Sequence, residues 1–101
     1  MTENSAETED TFSPDVSTTR NDALHRYELH VGGKLAVQVR YVDRPGHVDF
    51  IHTETAEQFK GQGLAGVLAQ FALDDVVASG KRIIPHCPYI YRYLRKHDAY
   101  N

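Results

Sequence analysis

Across one short stretch, QFKGQGLAG at residues 58–66, the hydrophobic period of the chain changes from two residues to roughly 3.6. Before it, apolar side chains alternate with polar ones. After it, Leu64, Val67, Leu68, Phe71 and Ala72 recur at helical spacing. The stretch therefore joins a strand to a helix through a glycine turn. The first backbone N–H groups of such a helix have no intrahelical partner and sit at the positive end of its dipole, which suits a phosphate. Gly61, Gly63 and Gly66 spell G-x-G-x-x-G, and Gln58, Gly61 and Gly63 spell Q-x-x-G-x-G. The local pattern is compatible with more than one phosphorylated ligand, so the flanking elements have to decide.

Upstream, HRYELHV alternates with Tyr27, Leu29 and Val31 on one face. Gly32-Gly33 is a two-residue hairpin signal, and LAVQVRYV then places Leu35, Val37, Val39 and Tyr41 on one face. After a turn at Arg44-Pro45-Gly46, HVDFIHTET is a third strand. Strict alternation there groups Val48, Phe50, His52 and Glu54 on one face and Ile51, Thr53 and Thr55 on the other. Downstream, a helix runs from Gly63 to Ser79, with Gly80 as its terminator. RIIPHC is a short strand, and Pro85 within it removes a ladder hydrogen bond, which demands an edge or a separation from the neighbour. PYIYRYLRKHDAY opens a last helix at Pro88. The expected order is β-β-β-α-β-α, an α+β fold in which a mostly antiparallel sheet is packed by two helices.

Residues 1–24 read differently. They are rich in Glu, Asp, Ser, Thr and Asn without apolar periodicity, so a disordered acidic and polar tail is expected there and a folded domain over 25–101. The tail holds six acidic residues and one basic, leaving ten basic and eight acidic groups in the domain. That mild excess does not argue for nucleic acid, but it leaves room for a basic patch facing a phosphorylated ligand. The tail has neither a basic start nor an apolar run, and no later segment has the length of a bilayer span, so no membrane association is expected. The single cysteine, Cys87, excludes an intrachain disulfide and a cysteine-rich zinc site; a reduced, cytoplasmic setting and no metal are expected.

A dinucleotide-binding fold needs a parallel start, an acidic residue about 20 positions after the glycines and further βα units. Here antiparallel strands precede the glycines and the next strand ends at His86-Cys87. A Walker-A loop lacks its Gly-Lys-Ser/Thr. The succession HVDFIHTET, QFKGQG, LAGVLAQFALDDVVASG, KRIIPHC, PYIYRYLRKHDAY instead resembles the GNAT superfamily of N-acetyltransferases. It is most similar to a small single-domain branch with a Cys-Pro-aromatic segment, matched here by Cys87-Pro88-Tyr89, Tyr93, Lys96-His97 and Tyr100.

The resemblance covers residues 25–101 and implies a reduced GNAT-like fold, acetyl-CoA as co-substrate and an amine as acceptor. It implies that Gln58, Phe59, Lys60, Gly61, Gln62, Gly63, Leu64 and Ala65 form the pyrophosphate loop, that Thr53, Glu54 and Thr55 flank the pantetheine arm, and that Pro88 also contributes to the cofactor site. Gly66 has a blander reading as a helix-packing glycine. Glu54 is the first candidate for general base, or a solvated strand residue; His52 is a shuttle or a packed histidine on the Val48/Phe50 face. Tyr93 is a candidate acid for the departing thiolate, or a core aromatic. Cys87 is a small apolar filler, a wall of the acetyl pocket or a transient acetyl carrier, since a helix start lowers a thiol's pKa. A monomer or weak dimer with an open acceptor groove is expected. A CoA-binding or interaction module without turnover is the competing function.

Overall fold

A computed structural model describes residues 15–97 and Tyr100. The element order is β1 (Val16–Asn21), β2 (Arg26–Val31), β3 (Lys34–Arg44), β4 (His47–Thr55), a 3-10 turn (Glu57–Phe59), α1 (Leu64–Ala78), β5 (Arg82–Pro85) and α2 (Pro88–Lys96). The strands form one sheet in the order β1-β2-β3-β4-β5. The first three pairings are antiparallel and β5 joins β4 in parallel, as a helical crossover requires. Pro85 sits at the end of that pairing, on an edge strand, opposite Phe50.

The inward face of the sheet buries Tyr27, Leu29, Val37, Val39, Val48 and Phe50 against Leu68, Ala69, Ala72, Leu73 and Val76 of α1, with Cys87 and Ile90 of α2 completing the cluster. The buried stripe of α1 is rotated from the expected one, and Val67 is about half exposed. Two physical facts set the rotation. Ala69 and Ala72 let the helix axis approach the sheet closely, and Asp75 has to face Tyr27 and Arg20.

Two expectations need correction. Residues 16–21, assigned to the tail, are the edge strand β1, paired in register from Val16 opposite Val31 to Asn21 opposite Arg26. VSTTRN carries little apolar signal because what holds it is polar. The Arg20 guanidinium donates to Asp22 (2.6 Å) and Asp75 (3.0 Å) and lies over the rings of Tyr27 and Tyr41. Tyr41 donates to Asp22 at 2.7 Å and Tyr27 to Asp75 at 2.7 Å, closing the network. Residues 1–14 lie outside the described residues.

The second correction concerns β4. Its register against β3 shifts between Arg40 and Tyr41, so that Phe50 opposes Tyr41 while His52 opposes Arg40. Ile51 is the extra residue, and a bulge of one residue inverts the alternation beyond it. Val48, Phe50, Thr53 and Thr55 therefore share the inward face, whereas His52 and Glu54 stand on the outward one. There Arg26 donates to Glu28 (2.6 Å) and to Gln38 (3.0 Å), and Gln38 donates to Glu54 at 3.4 Å.

Candidate active site

Beyond the bulge, β4 leaves β5. The last ladder partners are Phe50 and Pro85, and the Cys87 N–H donates to the Phe50 carbonyl at 2.8 Å before the chain turns into α2. β4 continues alone against β3 as far as Ala56, whose N–H donates to Ala36 at 2.8 Å. The 3-10 turn and Lys60 then bring the chain back across the open end of the sheet to the start of α1.

The space so framed is a cavity of about 550 Å³, lined by Thr53, Glu54, Thr55, Phe59, Lys60, Gly61, Gly63, Leu64, Ala65, Gly66 and Tyr89. Gly61 and Gly63 have φ of 81° and 76°, in the left-handed region. A Cβ built on either meets no atom within 4 Å, so glycine is required there by conformation and not by space. Gly63 is the N-cap of α1, and it offers no side-chain oxygen to the free N–H groups; the first turn holds no acidic residue either. Helices ordinarily fill both roles. This N-terminus is left ready for an anion from outside the chain. Lys60 stands beside it, in an exposed pair with Glu57 at 3.2 Å.

A second cavity of equal volume lies at the other end of α1, lined by residues that include Val77, Lys81, Arg82, Ile83 and Leu94. Its helix end is the negative one, so the two are not equivalent for a phosphate.

Cys87 is buried, at 2% exposure, and N-caps α2. Its Sγ lies 3.1 Å from the Thr53 hydroxyl, either group being able to donate. Because Thr53 also lines the cavity, the thiol sits one side chain behind its wall. Tyr89 is the reverse case: named in the sequence pattern but absent from the expected site residues, it lines the cavity directly. Tyr93 lines only a neighbouring hollow, stacked on His97 at 3.9 Å. Burial pushes both phenols above their ordinary pKa, and the negative charge of Asp74 adds to the effect at Tyr93, so both stay protonated at neutral pH.

Of the expected site residues, nine are thus gathered around one cavity. Gln58, Gln62 and Pro88 border its elements without lining it. His52 lies outward, more than half exposed, with Nε2 4.0 Å from Glu54 Oε1. Gly66 does line the cavity: a Cβ there would lie 3.6 Å from Tyr89 Oη and 4.0 Å from Tyr93 Cε2, ordinary contacts, so no tight helix packing requires the glycine. Among the described residues no group of side chains is arranged to hold a metal, and no helix is long and apolar enough to cross a membrane.

Comparison with known proteins decides the family. The family described as GCN5-related N-acetyl-transferase matches residues 26–101, three quarters of the sequence and all of the chain from β2 onward. The chain belongs to this family. Among solved structures, it is similar to a ribosomal-protein-alanine N-acetyltransferase from Brucella melitensis biovar Abortus 2308, at 19% identity and a TM-score of 0.51. That likeness is one of fold. It covers 70% of this chain and 57% of the other, so the chain corresponds to little more than half of that acetyltransferase. No curated protein sequence matches. The family and the five-stranded sheet with two helices agree with the GNAT-like fold expected from the sequence.

Proposed function

We propose that this family member is an acetyl-CoA-dependent N-acetyltransferase that moves the acetyl group directly to a primary amine, on a protein side chain or terminus or on a small amine. The observation that carries the reading is the uncapped, acid-free N-terminus of α1, reached through two left-handed glycines, at the mouth of a cavity that runs to the end of β4. Backbone N–H groups of residues 61–65 hold the pyrophosphate with help from Lys60. The inward Thr53 and Thr55 flank the pantetheine arm, and a preorganised backbone N–H near the departure of β4 from β5 polarises the thioester carbonyl.

In the transfer, the amine nitrogen attacks the carbonyl carbon, the carbon–sulfur bond breaks and the acetyl–nitrogen bond forms. The amine gives up a proton and the thiolate of CoA takes one. Glu54 backed by His52 serves as the proton acceptor from the outward side, which fits an acceptor arriving on the face of the sheet that the helices leave bare. The proton for the thiolate comes from a protonated tyrosine; Tyr89, facing the cavity, is better placed than Tyr93. Cys87 lines the acetyl end behind Thr53 and does not carry the acetyl group.

The test is acceptor-dependent release of CoA. Screening polyamines, lysine-bearing peptides and peptide amino termini with acetyl-CoA is expected to reveal thiol release that falls at least tenfold in Glu54→Gln. Tight acetyl-CoA binding without release for any acceptor would favour the competing binding-module reading. Mass spectrometry of the protein after mixing with acetyl-CoA addresses Cys87: an acetyl adduct formed and discharged at the turnover rate would overturn direct transfer.

A further inference from the structure

The outward face of the sheet carries its basic side chains in rows. Strand register decides which side chains stand side by side, and like charges directly opposite each other destabilise a sheet. On this face Arg26 stands opposite Arg40, which has His52 on its other side. Arg44 stands opposite His47, which has Arg82 on its other side. Two basic rows therefore cross the sheet, one from β2 to β4 and one from β3 to β5. Along β3 they are four residues apart, roughly 13 Å.

The acids on this face lie under the rows. Glu28 and Asp49 are the two buried charged residues among those described, with side chains 9% and 12% exposed. Arg26 reaches down to Glu28 at 2.6 Å and Arg44 to Asp49 at 3.1 Å. Above them the side chains of Arg44, His52 and His86 are more than half exposed, and Arg40 and Arg82 are exposed as well. Glu54, the third acid, stands at the cavity end, beyond the first row. What approaches this face thus meets cations first, and Glu54 only where the cofactor cavity begins. Such a field repels a polyamine or a lysine-rich tail and attracts an acidic chain.

We infer that the acceptor amine belongs to an acidic polypeptide segment, which lies on the outward face with its carboxylates on the two basic rows and its amine at Glu54. The inference rests on the acetyl-transfer reading with Glu54 as proton acceptor, and it narrows the acceptor class. On β4 the rows run from His52, two residues before Glu54, to His47, seven before it with one of them in the bulge. In an extended segment, acidic residues about two to six positions from the one bearing the amine match that span.

Fluorescence anisotropy tests it with three peptides, each labelled at its carboxyl end and bearing one lysine: one flanked by Asp and Glu, one with Asn and Gln in their place, one with Lys and Arg. The acidic peptide is expected to bind at least tenfold more tightly than the amide one. In Arg40→Gln/Arg82→Gln that preference is expected to fall below threefold. In Arg92→Gln/Arg95→Gln it is expected to persist, because that variant has the same net charge but loses it from α2, on the inward side. All four side chains are exposed, so neither variant threatens the core. Release of CoA from acetyl-CoA is expected to follow the same order of peptides. No preference in the unaltered protein, or an equal loss in both variants, would overturn the surface. Release that favours the amide or basic peptide would overturn the acidic acceptor while leaving the transferase reading in place. Preferred binding of the acidic peptide without release of CoA from any peptide would overturn the transferase reading, and the acceptor assignment with it.

Discussion

Gly66 is the third residue of α1, a position where alanine holds a helix better than glycine by about 0.5–1 kcal/mol. The added methyl meets Tyr89 Oη at 3.6 Å and Tyr93 Cε2 at 4.0 Å, which are comfortable contacts, so nothing in the fold opposes the gain. For a domain of this size the melting temperature should rise by roughly 2–8 °C. The same methyl projects into the wall of the cavity beside Tyr89. If the ligand fills that space, crowding it costs about 1–2 kcal/mol, a loss of about tenfold in affinity for acetyl-CoA. Differential scanning fluorimetry and calorimetry on Gly66→Ala read the two effects separately. A lower melting temperature would mean that Gly66 serves packing after all. Higher stability with unchanged affinity would mean that the ligand passes elsewhere, and would refute the placement of the cavity wall.

Alanine at Gly61 or Gly63 should behave in the opposite way. The left-handed conformation costs a residue with a Cβ about 1–2 kcal/mol, so both variants are expected to lose stability in urea titrations and to bind acetyl-CoA more weakly, although neither Cβ meets another atom. Arg20→Met removes the charge that ties β1 to α1; amide exchange is expected to lose protection across Val16–Asn21 while Leu68 to Val76 stay protected, and uniform loss would refute the edge-strand account. Burial alone would raise the pKa of the Glu28 carboxyl, but hydrogen bonds from Arg26 and Asn21 outweigh it and hold the value below the ordinary one. A depressed carboxylate stabilises the fold above its unfolded pKa of about 4.3 and loses that contribution as pH falls through the lower folded value. Acid unfolding followed by circular dichroism should therefore be shallower between pH 5 and 3, approximate bounds set by that reference value, in Glu28→Gln than in the unaltered protein.

Much of the site was legible because its signals are local. Gly61 and Gly63 need positive φ, Pro85 needs an edge or a departure from its neighbour, and the change of hydrophobic period places a helix start between them; each is a property of a few adjacent residues. Thr53, Thr55, Phe59, Lys60, Leu64 and Ala65 were expected from the family resemblance, and they line one cavity. What escaped were properties of pairing. Strict alternation put Glu54 and His52 with Phe50, and the bulge at Ile51 sends them to the other face, because register is settled between two strands and not within one. Strand β1 escaped for a related reason: VSTTRN has almost no apolar pattern, and Arg20 finds Asp75 across 55 residues of chain.

The order of elements from β2 onward, the glycine turn and the family resemblance were thus fixed by the amino-acid sequence itself, through backbone preferences and hydrophobic period that act over a few residues. Which side chains face the cavity, and that Cys87 stands behind Thr53 while Tyr89 stands in front, were decided by tertiary structure. A bulge, a helix rotation and the Arg20 ion-pair network depend on contacts between segments distant in sequence, and no local pattern encodes them.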